Sequence, residues 1–254
     1  MIDIHCHILP GVDDGAKSLA ESIEMAKHAV EDGIKTIIAT PHHKNSKYEN
    51  PKTQIIDKVN DLNKALVKEG IDLKILHGQE TRIYGEILED LEIGDILTLV
   101  ESKYLFIELP SGHVPRYTER LFFDIQMKGL IPIIVHPERN QELIERPDVL
   151  YNLVEKGALS QVTASSLSGY FGKKIKNFSH QLIEANLTHF IASDAHNVQN
   201  RSFKMSEAFN IVENKFGTDM VYLFKENVEL LIGDNNVYKE APERVRKKRL
   251  FKIF

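Results

Sequence analysis

The sequence predicts an α/β domain built on a parallel sheet, and three observations carry that prediction. Seven short runs are apolar throughout rather than alternating, as strands buried on both faces are. Longer stretches with helical apolar spacing separate several of them. In six of the seven runs, a residue able to bind a metal ion stands at or just past the C-terminal end.

Taken in order, the first run is Met1–Ile4. Ser18 then offers an N-cap with Glu21 three residues on, Ile23, Ala26 and Val30 form the expected buried stripe, and Gly33 stops the helix. After the second run, Thr36–Ala39, Pro51 opens a helix in which Ile55, Val59, Leu62 and Leu66 share a face up to Gly70. The third and fourth runs are Leu73–Leu76 and Tyr104–Ile107. A helical pattern near 116–128 ends at Gly129, the fifth run is Ile131–Val135, and a helix near 147–156 ends at Gly157. The sixth run, Leu159–Thr163, precedes a helix near 173–186, and His189–Ala192 is the seventh. Residues from Phe203 to Ile232 read as two closing helices. No linker, repeat or low-complexity tract interrupts the pattern, so a single domain over 1–254 is expected, with 243–254 as a basic tail. An open doubly wound sheet and a closed barrel share this alternation. The ligands favour the barrel, because only a closed ring brings so many strand ends to one small site.

Composition narrows the function classes. Of 254 residues, 42% are hydrophobic and 27% charged, ordinary for a soluble globular protein and unlike a disordered or fibrous one. No apolar run nears the roughly 20 residues of a membrane span, and Met1-Ile2-Asp3-Ile4-His5 is not the start of a signal peptide. A lone Cys6 excludes an internal disulfide framework and a multi-thiolate metal site. The expected location is the cytoplasm. Net charge is −5, yet the tail from Glu243 carries six Lys/Arg against one Glu, which leaves the body at −10. An acidic body argues against nucleic acid. The tail suits peripheral contact with anionic lipid or an acidic partner, and a merely solubilising terminus fits it equally.

The strand ends carry the chemistry. The first gives Asp3-Ile4-His5-Cys6-His7, the second Thr40-Pro41-His42-His43, the third His77-Gly78-Gln79-Glu80. The fourth gives Ile107-Glu108, the fifth His136-Pro137-Glu138-Arg139, the seventh Ser193-Asp194-Ala195-His196. Two-residue spacing on extended chain puts both histidines of His5-x-His7 on one side, and Asp194-x-His196 repeats it. His5, His7, His42, Glu80, Glu108, His136, Asp194 and His196 exceed one ion's needs, so two or three ions are expected, bridged by carboxylates. Mixed imidazole and carboxylate donors suit Mn²⁺, Zn²⁺ or Fe²⁺. A metal-free ring would have to satisfy several buried carboxylates at close range, which desolvation and repulsion make costly.

These motifs resemble the polymerase-and-histidinol-phosphatase (PHP) superfamily. The segment His7-Ile-Leu-Pro-Gly-Val-Asp-Asp14-Gly-Ala, together with His136-Pro-Glu-Arg139, is similar to its manganese-dependent protein-tyrosine phosphatases of bacterial capsule and exopolysaccharide loci. The resemblance runs from Met1 to about Gly233. It implies a distorted (β/α)₇ TIM-like barrel with three Mn²⁺ ions. One ion would take His5, His7, Glu80 and Asp194, a second would share Glu80 and add Glu108 and His136, and a third would take Asp14, His42 and His196. Asp14 comes from the resemblance alone, since Asp13-Asp14-Gly15 otherwise reads as a turn and helix lead-in. The implied substrate is the tyrosine-rich tail of a bacterial capsule-assembly tyrosine kinase.

Cysteine-based chemistry is excluded, because Val12 stands six residues after Cys6, where the phosphate-binding Arg is required. No P-loop is present. What remains is metal-activated water, a bridging hydroxide attacking phosphorus in line. Arg139 is the candidate phosphate clamp and Arg201 a second. Phenol, with a pKa near 10, is a good leaving group. His43 is expected to orient a neighbour, and His28, His77, His113, His180 and His189 to be structural or exposed. Ser111–Tyr117 reads as a loop, with a peptide-contacting rim as the sharper option, and Tyr170-Phe171 as an optional aromatic wall. Two alternatives stay open: a small-molecule phosphomonoesterase of the histidinol-phosphate type, and a non-catalytic, metal-stabilised scaffold.

Overall fold

The computed structural model describes residues 1–246. Its elements run β1 (Ile2–Cys6), α1 (Leu19–Glu31), β2 (Thr36–Ala39), β3 (His42–His43), α2 (Lys52–Lys68), β4 (Lys74–His77), β5 (Glu80–Arg82) and α3 (Ile87–Glu92). Then follow β6 (Tyr104–Glu108), α4 (Thr118–Met127), β7 (Ile131–Val135), α5 (Gln141–Glu145), α6 (Asp148–Glu155), β8 (Leu159–Thr163), α7 (Ala164–Ser168), α8 (Lys173–Glu184), β9 (Phe190–Ala192), α9 (Met205–Phe216) and α10 (Thr218–Ile232). Most of the basic tail expected over 243–254 lies outside the described residues.

All strand pairs are parallel, in a three-stranded sheet β1-β2-β4 and a six-stranded sheet β3-β5-β6-β7-β8-β9. Pro41 explains one junction between them: with no N–H it cannot continue the β2 ladder, so pairing lapses and resumes at His42. Backbone bonds still span the gap, from Gly78 N–H to Ala39 O at 3.0 Å and from Glu80 N–H to Pro41 O at 3.1 Å. At the other end, the chain after β9 meets β1 through His7 N–H to Ala195 O at 2.9 Å and Asp194 N–H to His5 O at 2.8 Å.

The apolar runs place the strands, with instructive exceptions. β1 extends to Cys6, because the buried His5 imidazole has a hydrogen-bond partner and polarity alone does not end a strand. β3 and β5 are too polar to stand out in the sequence. On α1, Ser18 accepts from the Glu21 N–H, but Ser22, Met25, Ala26 and Ala29 are the buried residues, so the face is rotated from the expected stripe and Val30 is exposed. Ile55, Val59, Leu62 and Leu66 do form the buried face of α2.

Strand parity builds the site. Tyr104 and Phe106 precede Glu108 on β6, Leu159 precedes Gln161 on β8, and Phe190 and Ala192 precede Asp194, all at two-residue spacing. The apolar members pack with Ile4, Ile38, Ile133 and Val135 into one buried cluster, leaving the polar members as the next layer toward the strands' C-terminal ends. Val228 and Leu231 of α10 join that cluster, and Tyr104 donates its hydroxyl to Asn235 O at 2.6 Å. Each fully buried large side chain here contributes about 1.5–3 kcal/mol by removal from water. A second, larger apolar cluster includes Leu105, Ile107 and Ile134 with the buried faces of α1, α2 and α4.

Candidate metal centre

His5 and His7 turn their Nε2 atoms toward each other at 3.3 Å. The Asp194 Oδ1 atom lies 3.4 Å from the first and 3.2 Å from the second, and Glu80 Oε2 lies 3.5 Å and 3.3 Å from them. Glu80 is completely buried and central: His136 Nε2 contacts its Oε1 at 2.8 Å, and His42 Nδ1 stands 2.7 Å from Oε2. His42 Nδ1 also approaches Glu108 Oε2 at 3.8 Å. On the outer side, His42 Nε2 and His196 Nε2 lie 3.3 and 3.4 Å from Asp14 Oδ1.

The side chains singled out in the sequence therefore meet in one place. Their donor atoms form three overlapping groups: His5, His7 and Glu80; His42, Glu80 and Glu108; and His7, Asp14, His42 and His196. The grouping differs from the expected one in three respects. His7 also belongs with the Asp14 set, His42 stands beside Glu80 and Glu108 where His136 was expected, and Asp194, though its Oδ1 lies 3.4 and 3.2 Å from His5 and His7, falls outside all three groups.

The donors fit divalent cations. His42 Nδ1, Glu80 Oε2, Glu108 Oε2 and His196 Nε2 are buried and crowd one another without a well-directed hydrogen bond, an arrangement that is costly unless something else satisfies them. Burial is the largest influence on Glu80 and opposes its ionisation, but His42, His5 and His136 outweigh it and hold its carboxyl well below the usual range. Burial and the neighbouring Glu80 charge push Glu108 up to about 7. Burial, then the Arg139 charge, pushes His136 down to about 3; burial, then His7, takes His196 to about 4. Both imidazoles are neutral near pH 7, the form that ligates metal.

Backbone strain accompanies the chemistry. His136 (φ 37°) and Asp194 (φ 52°) both adopt left-handed conformations, uncommon for residues other than glycine. The His136 N–H donates to Gln161 O at 2.8 Å, so the turn that aims its ring is fixed by the neighbouring strand.

Three arginines flank the acids. Arg139 and Arg201 reach Asp194 Oδ2 at 2.6 and 3.2 Å, Arg201 also approaches Asp14 Oδ2 at 3.6 Å, and Arg82 meets Glu108 Oε1 at 3.1 Å. With His42, Glu108, His136 and Asp194, Arg139 and Arg201 line a cavity of about 220 Å³. Phe171 lies under the Arg139 guanidinium, 5.4 Å from ring centre to carbon, and Tyr170 packs edge-on against Phe171. Buried His43 accepts from the Asn50 N–H and faces Asp95, turned toward its own loop.

Sequence reasoning gave no role to Asp3, Asp13, Arg82 or Gln161. Asp3 is wholly buried and binds the Ser193 N–H and hydroxyl, tying β1 to the turn that carries Asp194. Gln161 Oε1 contacts His5 Nδ1 at 2.9 Å, and Asp13 Oδ2 contacts His7 Nδ1 at 2.7 Å. The histidine partners are recognisable only in space; a clue to Gln161 was its place on the strand end that offered no ligand.

Comparison with known proteins gives one consistent picture. The model of the capsular polysaccharide synthesis family CpsB/CapC matches residues 1–233. The tyrosine-protein phosphatase YwqE of Bacillus subtilis is 54% identical over 254 residues, covering 100% of both chains. The tyrosine-protein phosphatase CpsB of Streptococcus pneumoniae is 32% identical over 240 residues, 92% of this chain and 99% of that one. A crystal structure from work on YwqE and CpsB, described as unique metal-dependent tyrosine phosphatases, superposes with a TM-score of 0.95 at 54% identity, over 97% of this chain and 100% of that one.

Proposed function

Because the chain belongs to the CpsB/CapC family of capsular polysaccharide synthesis, we propose that its arginine-flanked cluster of imidazoles and carboxylates is the active site of a metal-dependent tyrosine-protein phosphatase. The observation that carries this reading is the convergence of imidazole and carboxylate donors around buried Glu80, with His42, Glu108, His136 and Asp194 lining one cavity beside Arg139 and Arg201. The chemistry does not use Cys6, which is buried in the apolar core and donates its thiol to the Ala195 carbonyl.

His5, His7, Asp14, His42, Glu80, Glu108, His136, Asp194 and His196 would hold the cations, with Mn²⁺ as the resident metal and three as the number. Divalent ions bound there lower the pKa of water from about 15.7 toward 7 and offset charge on phosphoryl oxygens. The protein's own part is positioning. Arg139 presents a planar fork whose charge persists at any working pH and whose rotamer Asp194 and Phe171 restrain, so it can orient the phosphoryl group without reorganising. Arg201 adds a second guanidinium to the same cavity, held by Asp194 and Asp14. A phenolic leaving group, with a pKa near 10, departs without a strong acid. The substrate is a tyrosine-phosphorylated protein, and the resemblance of the chain points to the tail of a bacterial capsule-assembly kinase.

The two sheets further read as one ring of seven strands, a distorted barrel. β2 runs on into β3 and β4 into β5, while the bridge between Cys6 and Ala195 supports closure of the ring. The whole chain then acts as one domain in the cytoplasm, with a basic tail that suits peripheral contact with anionic lipid or an acidic partner and fits a solubilising terminus equally. No helix among the described residues is long and apolar enough to cross a membrane.

The test compares phosphate release from a tyrosine-phosphorylated peptide and from histidinol phosphate by chelator-stripped protein resupplied with Mn²⁺, with Arg139→Ala alongside. Mn²⁺-restored release from the peptide, lost in the variant, is expected. Release from histidinol phosphate alone would replace the substrate class, and no release from either would leave a scaffold.

A further inference from the structure

The Asp13-Asp14-Gly15 run has three separate jobs at one point in space. Asp13, its side chain fully buried, contacts His7 Nδ1 through Oδ2 at 2.7 Å. The same oxygen accepts the His42 backbone N–H at 3.1 Å, and Oδ1 accepts the Gly15 N–H at 2.9 Å. Asp14 is the adjacent residue, and its Oδ1 faces His42 and His196. Gly15 is pressed onto His7: a Cβ there would stand 2.0 Å from the His7 carbonyl oxygen, while Ala16 donates to that oxygen at 3.1 Å. From the other side, Asn50 Nδ2 donates to His42 O at 2.7 Å and to Val12 O at 3.0 Å, closing a bracket around the His42 peptide.

One carboxylate thus touches or adjoins three of the four members of the His7–Asp14–His42–His196 group. Given the metal-centre reading above, we propose that Asp13 is a positioning residue that assembles this cation subsite in particular. As the acceptor at Nδ1 it keeps the proton on that nitrogen of His7 and turns Nε2 toward the cluster. As the acceptor for the His42 N–H it fixes the start of β3, and through the Gly15 N–H it sets the loop that presents Asp14. A carboxylate partner also makes the ring a stronger donor than a neutral one does, and loss of such a partner typically costs 10–100-fold in metal affinity. His5 has the neutral Gln161 amide at the same position, so the two histidines of the first motif are supported by different chemistry.

The experiment is a Mn²⁺ titration of the chelator-stripped full chain, followed by electron paramagnetic resonance of free Mn²⁺, for wild type, Asp13→Asn and Asp13→Ala. Circular dichroism and thermal unfolding run alongside. One Mn²⁺ site is expected to weaken by roughly 10–100-fold in Asp13→Asn and more in Asp13→Ala, with a smaller loss at the sites that share only His7 or His42 with it. Equal uptake by wild type and both variants overturns the role of Asp13 and leaves the metal centre intact. Uniform weakening of every site overturns the assignment to one subsite. Wild type that takes up no Mn²⁺ overturns the metal reading itself. Should both variants fail to fold, the ¹⁵N imidazole spectrum of wild-type protein with Mn²⁺ replaced by diamagnetic Zn²⁺ still decides. A His7 proton on Nδ1 supports the proposal, and one on Nε2 sinks it.

Discussion

The Arg139 guanidinium stands 2.6 Å from Asp194 Oδ2, with its carbon 5.4 Å from the centre of the Phe171 ring. A carboxylate and an aromatic face together restrain a side chain that otherwise has many rotamers, and an always-charged fork is held at the cavity wall. Arg139→Lys keeps the charge and loses the fork. It is expected to lower kcat/KM on a phosphotyrosyl peptide by roughly 10–100-fold and Arg139→Ala by about 10²–10³-fold, both with Mn²⁺ uptake retained. Wild-type kcat/KM in Arg139→Lys would remove the clamp from the mechanism.

Cys6 sits between two proposed ligands, yet its thiol is fully buried. Burial, with Asp3 and Asp194 nearby, pushes its pKa well above the ordinary thiol value. Such a sulfur is a poor nucleophile. Cys6→Ala is expected to keep activity within about 2-fold and to lose roughly 1 kcal/mol of stability, and iodoacetamide should leave the folded enzyme active. Inactivation that tracks thiol modification would argue for cysteine chemistry after all.

Burial pushes the His189 imidazole down to about 3, with Lys239 adding to the shift. Its Nδ1 accepts the Ser160 N–H at 3.1 Å, which requires an unprotonated nitrogen. An unfolded chain binds a proton there below about pH 6.5 and the folded one does not, so stability is full above 6.5 and falls as pH drops toward 3. Urea unfolding in chelator at pH 7 and pH 5 should show wild type losing about 2 kcal/mol more than His189→Gln over that interval. Equal losses would assign the acid sensitivity to other groups.

Glu80, Glu108 and Asp194 share one small volume, and divalent cations would bind the folded chain far better than the unfolded one. Melting temperature should therefore rise with Mn²⁺ concentration, by the equivalent of about 2.7 kcal/mol per site at one hundred times its Kd. A melting temperature indifferent to both chelator and Mn²⁺ would count against the metal centre.

Some of this site was legible in the sequence because strand geometry is periodic. The two-residue spacing that pairs His5 with His7 and Asp194 with His196 is a property of extended chain, and it can be read before any contact is known. So can the Ser18 cap of α1, a local hydrogen bond three residues long. The rotation of that helix was not legible, since Ile23 and Ala26 fit one stripe as well as Met25 and Ala29 fit another, and only the surface packed against α1 selects between them.

What the sequence by itself determined is the α/β alternation, the parallel character of the strands and the set of strand-end side chains available for chemistry, all consequences of local spacing. The tertiary structure decided which of those side chains meet. His136 reaches Glu80 across 56 positions and Ser193 reaches Asp3 across 190, separations at which chain pattern carries no distance information. It also decided the supporting partners, Asp13 for His7 and Gln161 for His5, and the polar strands β3 and β5. A hydrogen bond to an imidazole leaves no periodic trace in the chain, and a strand held by its backbone ladder needs no apolar side chains to mark it.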